Sequence, residues 1–80
     1  MFEMRTILKK IKPEENCYRY YEMRMEQVKE GFHVQMKWGR LNGDTPPIKC
    51  QTKHLVLANQ EDALAVVLRK LREKQLRGYR

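Results

Sequence analysis

From Cys17 to Trp38 the chain changes character at almost every second residue, and this alternation restricts the fold more than any other feature. Tyr21, Met23 and Met25 are interleaved with Glu22, Arg24 and Glu26, and Phe32, Val34, Met36 and Trp38 with His33, Gln35 and Lys37. A period of two gives an extended strand one apolar and one polar face, so Cys17 to Glu26 and Phe32 to Trp38 read as strands that each bury one side. A connector around Gln27 to Gly31 links them, and Gly39 marks the end of the second. Ahead of them, Arg5 to Ile11 reads as a shorter strand with Ile7, and also Leu8 and Ile11, turned inward. It ends in the turn-like Lys12-Pro13-Glu14-Glu15-Asn16. Asn42-Gly43-Asp44 and Pro46-Pro47 supply turn chemistry before a further strand from Ile48 to about Leu57, whose alternation is less clean.

The period then switches. Asn59 is a good helix cap, and Glu61 and Asp62 place negative charge in the first turn, where the helix dipole favours it. Leu64, Val67, Leu68 and Leu71 recur at three- and four-residue spacing, which predicts an amphipathic helix of about 16 residues ending before Gly78. Strands followed by one helix make an α+β fold: an antiparallel sheet of four to five strands with a C-terminal amphipathic helix packed on it. Eighty residues hold only one such core, so residues 1–80 form a single domain.

Charge narrows the partners. Seventeen Lys and Arg against ten Asp and Glu give +7, an excess that suits an anionic partner such as nucleic acid or an acidic surface. Residues 69–80 carry six bases, Arg69, Lys70, Arg72, Lys74, Arg77 and Arg80, against the single acid Glu73, so +5 sits there and +2 in the first 68 residues. Cations near a helix C-terminus also complement the dipole, so a solvated helix end accounts for this run as readily as a binding face does.

Other classes find little support. No apolar run nears the roughly 20 residues of a membrane span. The segment Met-Phe-Glu-Met-Arg lacks the basic and apolar regions of a secretory signal, so cytoplasmic residence is the expectation. Membrane-surface binding by the basic helix conflicts with the need for its apolar side chains in the core. Cys17 and Cys50 fall in expected strands and read as buried free thiols. Zinc held by Cys17, His33, Cys50 and His54 fails because Cys50 and His54 on one strand would stand about 13 Å apart. With no serine, isolated threonines and two histidines outside any motif, no catalytic set is visible. The four glycines are scattered, which leaves no phosphate-cradling loop and no cofactor indicated.

Trp38-Gly39-Arg40 combines a flat apolar ring, a residue that allows close backbone approach and a planar cationic fork. Such a trio suits an exposed nucleotide, with Lys37, Lys49 and Lys53 nearby for the phosphates. Trp38 also continues the inward phase of its strand, so a core role competes. Tyr18, Tyr20 and Tyr21 admit base stacking or simple sheet packing.

The ordered set of Asn16 to Met25 (NCYRYYEMRM), Trp38-Gly39-Arg40, Glu61-Asp62-Ala63 and Lys74-Gln75-Leu76-Arg77-Gly78-Tyr79 resembles the WGR domain of nuclear poly(ADP-ribose) polymerases and short bacterial proteins. The resemblance runs almost end to end. It implies an antiparallel sheet with one helix across it and binding to DNA near a break, Trp38 packing on the terminal nucleotide. Arg40 would help to link DNA to neighbouring domains. Lys49 is the nearest match to a DNA-contacting lysine on the next strand, Lys53 being the alternative, and Asn16 and Tyr18 would meet the DNA backbone. After the motif the family usually continues with a β-branched residue and Gly, whereas here Leu41-Asn42-Gly43-Asp44 displaces the glycine by one. Asn42 can take the left-handed conformation itself, and Asp44 beside Arg40 would repel phosphate. No ADP-ribosyltransferase sequence is present, so the resemblance implies a reader of DNA or a protein-interaction adaptor without catalysis.

Overall fold

The computed structural model describes residues 3–43, 45, 47 and 49–80. Strands β1 (Glu3–Lys12), β2 (Cys17–Val28), β3 (Gly31–Arg40) and β4 (Gln51–Leu57) form an antiparallel meander in sequence order, followed by helix α1 (Gln60–Leu76). The expected α+β arrangement is present, with four strands among the described residues. The expected strand start at Ile48, and also Asp44 and Pro46, lie outside the described residues.

Each junction has a local cause. Pro13 opens a single 3-10 turn after β1, and Asn16 ends it in the left-handed conformation at φ 51°, which a short polar side chain tolerates. The left-handed asparagine is therefore Asn16 and not Asn42. In the loop after β3 it is Gly43 that takes positive φ, while Asn42 and Thr45 exchange backbone hydrogen bonds at 3.2 and 3.1 Å. Asn59 caps α1 by accepting from the Asp62 N–H at 2.9 Å. At the other end Gly78, at φ 96°, allows the Gly78 N–H to reach the Gln75 carbonyl and the Tyr79 N–H to reach the Lys74 carbonyl. This Schellman closure turns the chain back onto the sheet. Tyr79 is buried there, and Arg80 exchanges backbone hydrogen bonds with Lys9 on the β1 edge.

The helix covers one face of the sheet. Leu8, Tyr21, Met23, Met25, Phe32, Val34 and Met36 meet Ala63, Val67 and Tyr79 in the core, with Trp38, Leu55, Leu57, Leu64 and Leu71 packed around them. Three inward assignments are corrected. Leu8 stands opposite Tyr21 and faces the helix, whereas Ile7, opposite Glu22, and Ile11, opposite Tyr18, lie on the open face and are 42% and 50% exposed. Leu68 is 59% exposed because the buried edge of α1 runs through Ala63 and Val67, about 100° around the helix from it. A fourth correction concerns Cys50, which precedes β4 and is exposed; Cys17 is half-buried, and both thiols are free.

Candidate nucleic-acid interface

Trp38 lies near the end of β3 on the helix-covered side, opposite Tyr21 in register. The two rings are nearly parallel, with centroids 6.1 Å apart and planes at 22°. Tyr79 meets Tyr21 edge-on at 6.3 Å, so the indole rests on an aromatic pile that the helix closure holds in place. Trp38 is half-buried: part of it belongs to the core and part of it remains at the surface. The inward phase read from the sequence therefore holds for part of the ring, and the rest of the ring is exposed.

That remaining surface stands between two hollows. One, of about 420 Å³, is lined by Arg19, Trp38, Gly39, Arg40, Lys49, Cys50 and Gln51. The other, of about 330 Å³, lies between the sheet and the C-terminal half of α1, with Tyr21, Met36, Trp38, Lys53, Lys70, Glu73, Lys74 and Arg77 around it. Trp38 is common to both.

Arg40 is exposed but held. Its Nη2 donates to Asn16 Oδ1 at 3.2 Å, and its guanidinium carbon lies 5.5 Å from the centre of the Tyr18 ring. The left-handed Asn16 thus orients a cation contributed by a strand 24 residues later. Gly39 has a different task. A Cβ at that position would lie 3.0 Å from the Lys49 carbonyl oxygen and 3.1 Å from the Pro47 ring, tighter than ordinary van der Waals contact. The missing side chain lets the loop after β3 descend onto the strand and carries Lys49 to the Trp38 hollow.

Of the residues singled out from the sequence, Trp38, Gly39, Arg40 and Lys49 come together around one hollow, and Asn16 and Tyr18 join them through Arg40. Lys53 does not; it lies beyond the indole, with the helix cations. Sequence reasoning missed Arg19. It stands opposite Arg40 in the β2–β3 register and lines the first hollow. Its signal was the hairpin pairing itself, which brings the start of β2 beside the end of β3.

Lys74 has the least ordinary environment. Its ammonium sits 4.7 Å from the centre of the Tyr21 ring and 5.4 Å from that of Tyr79. Burial lowers its pKa, and the charges of Arg77, Lys70 and Arg19 lower it further against the opposing pull of Glu73. On the open face of the sheet, Glu22 is only 5% exposed and accepts hydrogen bonds from the Tyr20 hydroxyl at 2.6 Å and the Arg5 Nε at 3.0 Å. Burial raises its pKa, but these bonds and the charges of Arg5 and Lys37 outweigh that and leave it below the ordinary glutamate value. Among the described residues no group of three His, Cys, Asp or Glu side chains is placed to hold a metal ion.

The chain is thus a small α+β module, a four-stranded meander under one helix, with a tryptophan set between cation-lined hollows. Residues 4–80 match the WGR domain family, and the chain belongs to it. WGR domains are a nucleic-acid-binding type of module and are non-catalytic in general. No curated protein and no solved structure matches the chain. Among the described residues no helix is long and apolar enough to cross a membrane.

Proposed function

We propose that the protein is a non-catalytic, cytoplasmic DNA-binding module that takes exposed nucleotides at ends, nicks or gaps. The observation that carries this reading is the braced half-buried Trp38 with Arg40 and Lys49 beside it. A rigid indole offers a nucleotide a flat apolar surface without an ordering cost at the moment of binding. Arg40, Lys49 and Arg19 supply cations for the phosphates on the same side, and Asn16 and Tyr18 hold Arg40 in place. Base stacking contributes about 1–3 kcal/mol, so loss of the indole weakens binding about 5- to 150-fold. With three to five phosphate contacts, affinity falls about 40- to 500-fold between 50 and 200 mM salt.

The test uses fluorescence anisotropy with a labelled duplex bearing a recessed end, measured for wild type, Trp38→Ala and Arg40→Ala. Both variants lose affinity, Arg40→Ala by about tenfold. Wild-type affinity in both, with folded circular dichroism spectra, rejects the site. A second reading, an adaptor that docks an acidic protein, is favoured by Ile7 and Ile11, which lie exposed beside Arg5, Lys9 and Lys12 on β1. Nuclease treatment before pull-down separates the two readings. A partner lost after digestion was bridged by nucleic acid, and one retained docks on the protein.

A further inference from the structure

We propose that the hollow between the C-terminal half of α1 and the sheet is a second phosphate subsite, which takes the phosphate next to the nucleotide that packs on Trp38. The inference rests on the nucleic-acid reading above and adds to it a place where the same strand continues past the indole. Four cations converge on this hollow, Lys53, Lys70, Lys74 and Arg77, against one carboxylate, Glu73. Glu73 reaches Lys70 and Arg77 only at 3.7 Å each, and among the described residues no carboxylate lies within ion-pair distance of Lys53 or Lys74. Like charges gathered within a Debye length of about 8–10 Å repel one another, and an anion between them relieves that repulsion.

A dipole-compatible helix end does not account for the arrangement. Lys53 comes from β4 and not from the helix, so the helix dipole has no part in placing it. Lys74 is not a solvated terminal cation, since it lies over the Tyr21 and Tyr79 rings with its stem partly buried. Arg69 and Arg72, of equal charge and on the same helix, are exposed and do not line the hollow. The basic run therefore divides into a set turned toward Trp38 and a set turned to solvent. Trp38 is a wall of both hollows, so a strand held by Arg40 and Lys49 on one side of the indole reaches Lys70 and Lys74 by crossing it.

Charge-matched pairs provide the test. The slope of log affinity against log salt concentration is measured for the full chain with the recessed duplex. Lys70→Ala with Lys74→Met, which keeps an apolar stem over the tyrosines, lowers the slope by about 0.7–0.9, the value for one phosphate contact. Lys53→Ala with Arg77→Ala, which leaves the aromatic pile untouched, lowers it by a similar amount. Arg69→Ala with Arg72→Ala changes the slope by less than about 0.3, because exposed cations off the path neutralise no phosphate. Glu73→Gln, which removes the one competing carboxylate, strengthens binding several-fold. Equal effects of the hollow pairs and the solvent pair, or no effect of either hollow pair, overturn the subsite. If Trp38→Ala and Arg40→Ala weaken binding while both hollow pairs do not, the second subsite alone is wrong. If none of these variants weakens binding, the nucleic-acid reading falls with it.

Discussion

Glu22 shows how far a residue's role can depart from its place in a pattern. In the alternation of β2 it reads as a solvent-facing charge, and it does face away from the helix. Yet it is nearly inaccessible, because Tyr20, two residues earlier on the same face, and Arg5 of β1 close over its carboxylate. Removing the Tyr20 hydroxyl leaves a buried carboxylate with one fewer donor, so Tyr20→Phe destabilises the fold by about 1–3 kcal/mol in urea unfolding. Because the folded pKa of Glu22 lies below the ordinary value of 4.5, its stabilisation is complete above pH 4.5 and is lost as pH falls through the lower folded value. The urea midpoint of Tyr20→Phe therefore approaches that of wild type as pH drops below 4.5 and through the lowered folded value; a gap independent of pH would show that the hydroxyl acts without the carboxylate. The signal for this cluster, a tyrosine at i−2 of an acid, was present in the sequence. What was missing was the β1 register, which pairs Ile7 with Glu22 and so sets Arg5 diagonally across from the carboxylate. For Trp38, by contrast, the inward phase of its strand announced the contact with the core, while its partial exposure follows from its place near the end of β3.

Among the elements, the strands with one charged and one apolar phase were readable, and those with mixed phases were not. β1 carries Ile7, Leu8 and Ile11, which occupy both of its faces, so only pairing with Tyr21 decides that Leu8 is the buried one. Helix α1 has more apolar residues than its narrow contact with the sheet can use, and Leu68 is left outside. Its end was legible, since glycine at Gly78 followed by an aromatic residue is the pattern of a Schellman closure that returns an apolar side chain to the helix. The loop after β3 was the least legible element, because its course depends on an absent side chain at Gly39 and not on a residue that attracts notice. Gly39→Ala forces the Pro47 ring and the Lys49 carbonyl to shift by a few tenths of an ångström. Alanine suits a strand better than glycine by about 0.5–1 kcal/mol, which offsets part of the crowding, so stability changes by less than about 1 kcal/mol. DNA affinity nevertheless falls several-fold as Lys49 moves. An unchanged dissociation constant together with an unchanged urea midpoint would mean that the loop tolerates the methyl group and that its position does not matter.

At the scale of the whole molecule, net charge of +7 pointed to an anionic partner without saying where on the surface it would lie. The fold arranges that charge. Hairpin pairing brings Arg19 to Arg40, the loop brings Lys49, and the helix closure brings Lys70, Lys74 and Arg77 to the far side of the same indole. The opposite face of the sheet carries compensated charge instead, in the Arg5–Glu22 and Arg24–Glu3 pairs and in His33, which lies near Glu26 and is hydrogen-bonded to His54 at 2.9 Å. Cations thus outnumber acids around Trp38, whose two hollows are lined by Arg19, Arg40, Lys49, Lys53, Lys70, Lys74 and Arg77 against Glu73, and that convergence is the central claim. The chain has one tryptophan, so its emission reports directly on this place. Trp38 fluorescence is followed while a short DNA duplex with an unpaired terminal nucleotide is added at low salt. If a nucleotide packs on the indole, the emission is quenched saturably, with the same midpoint as the binding measured by anisotropy, and recovers when salt is raised. DNA that binds with that midpoint and leaves the emission unaltered contradicts the account, because the ligand then lies somewhere other than between the two hollows.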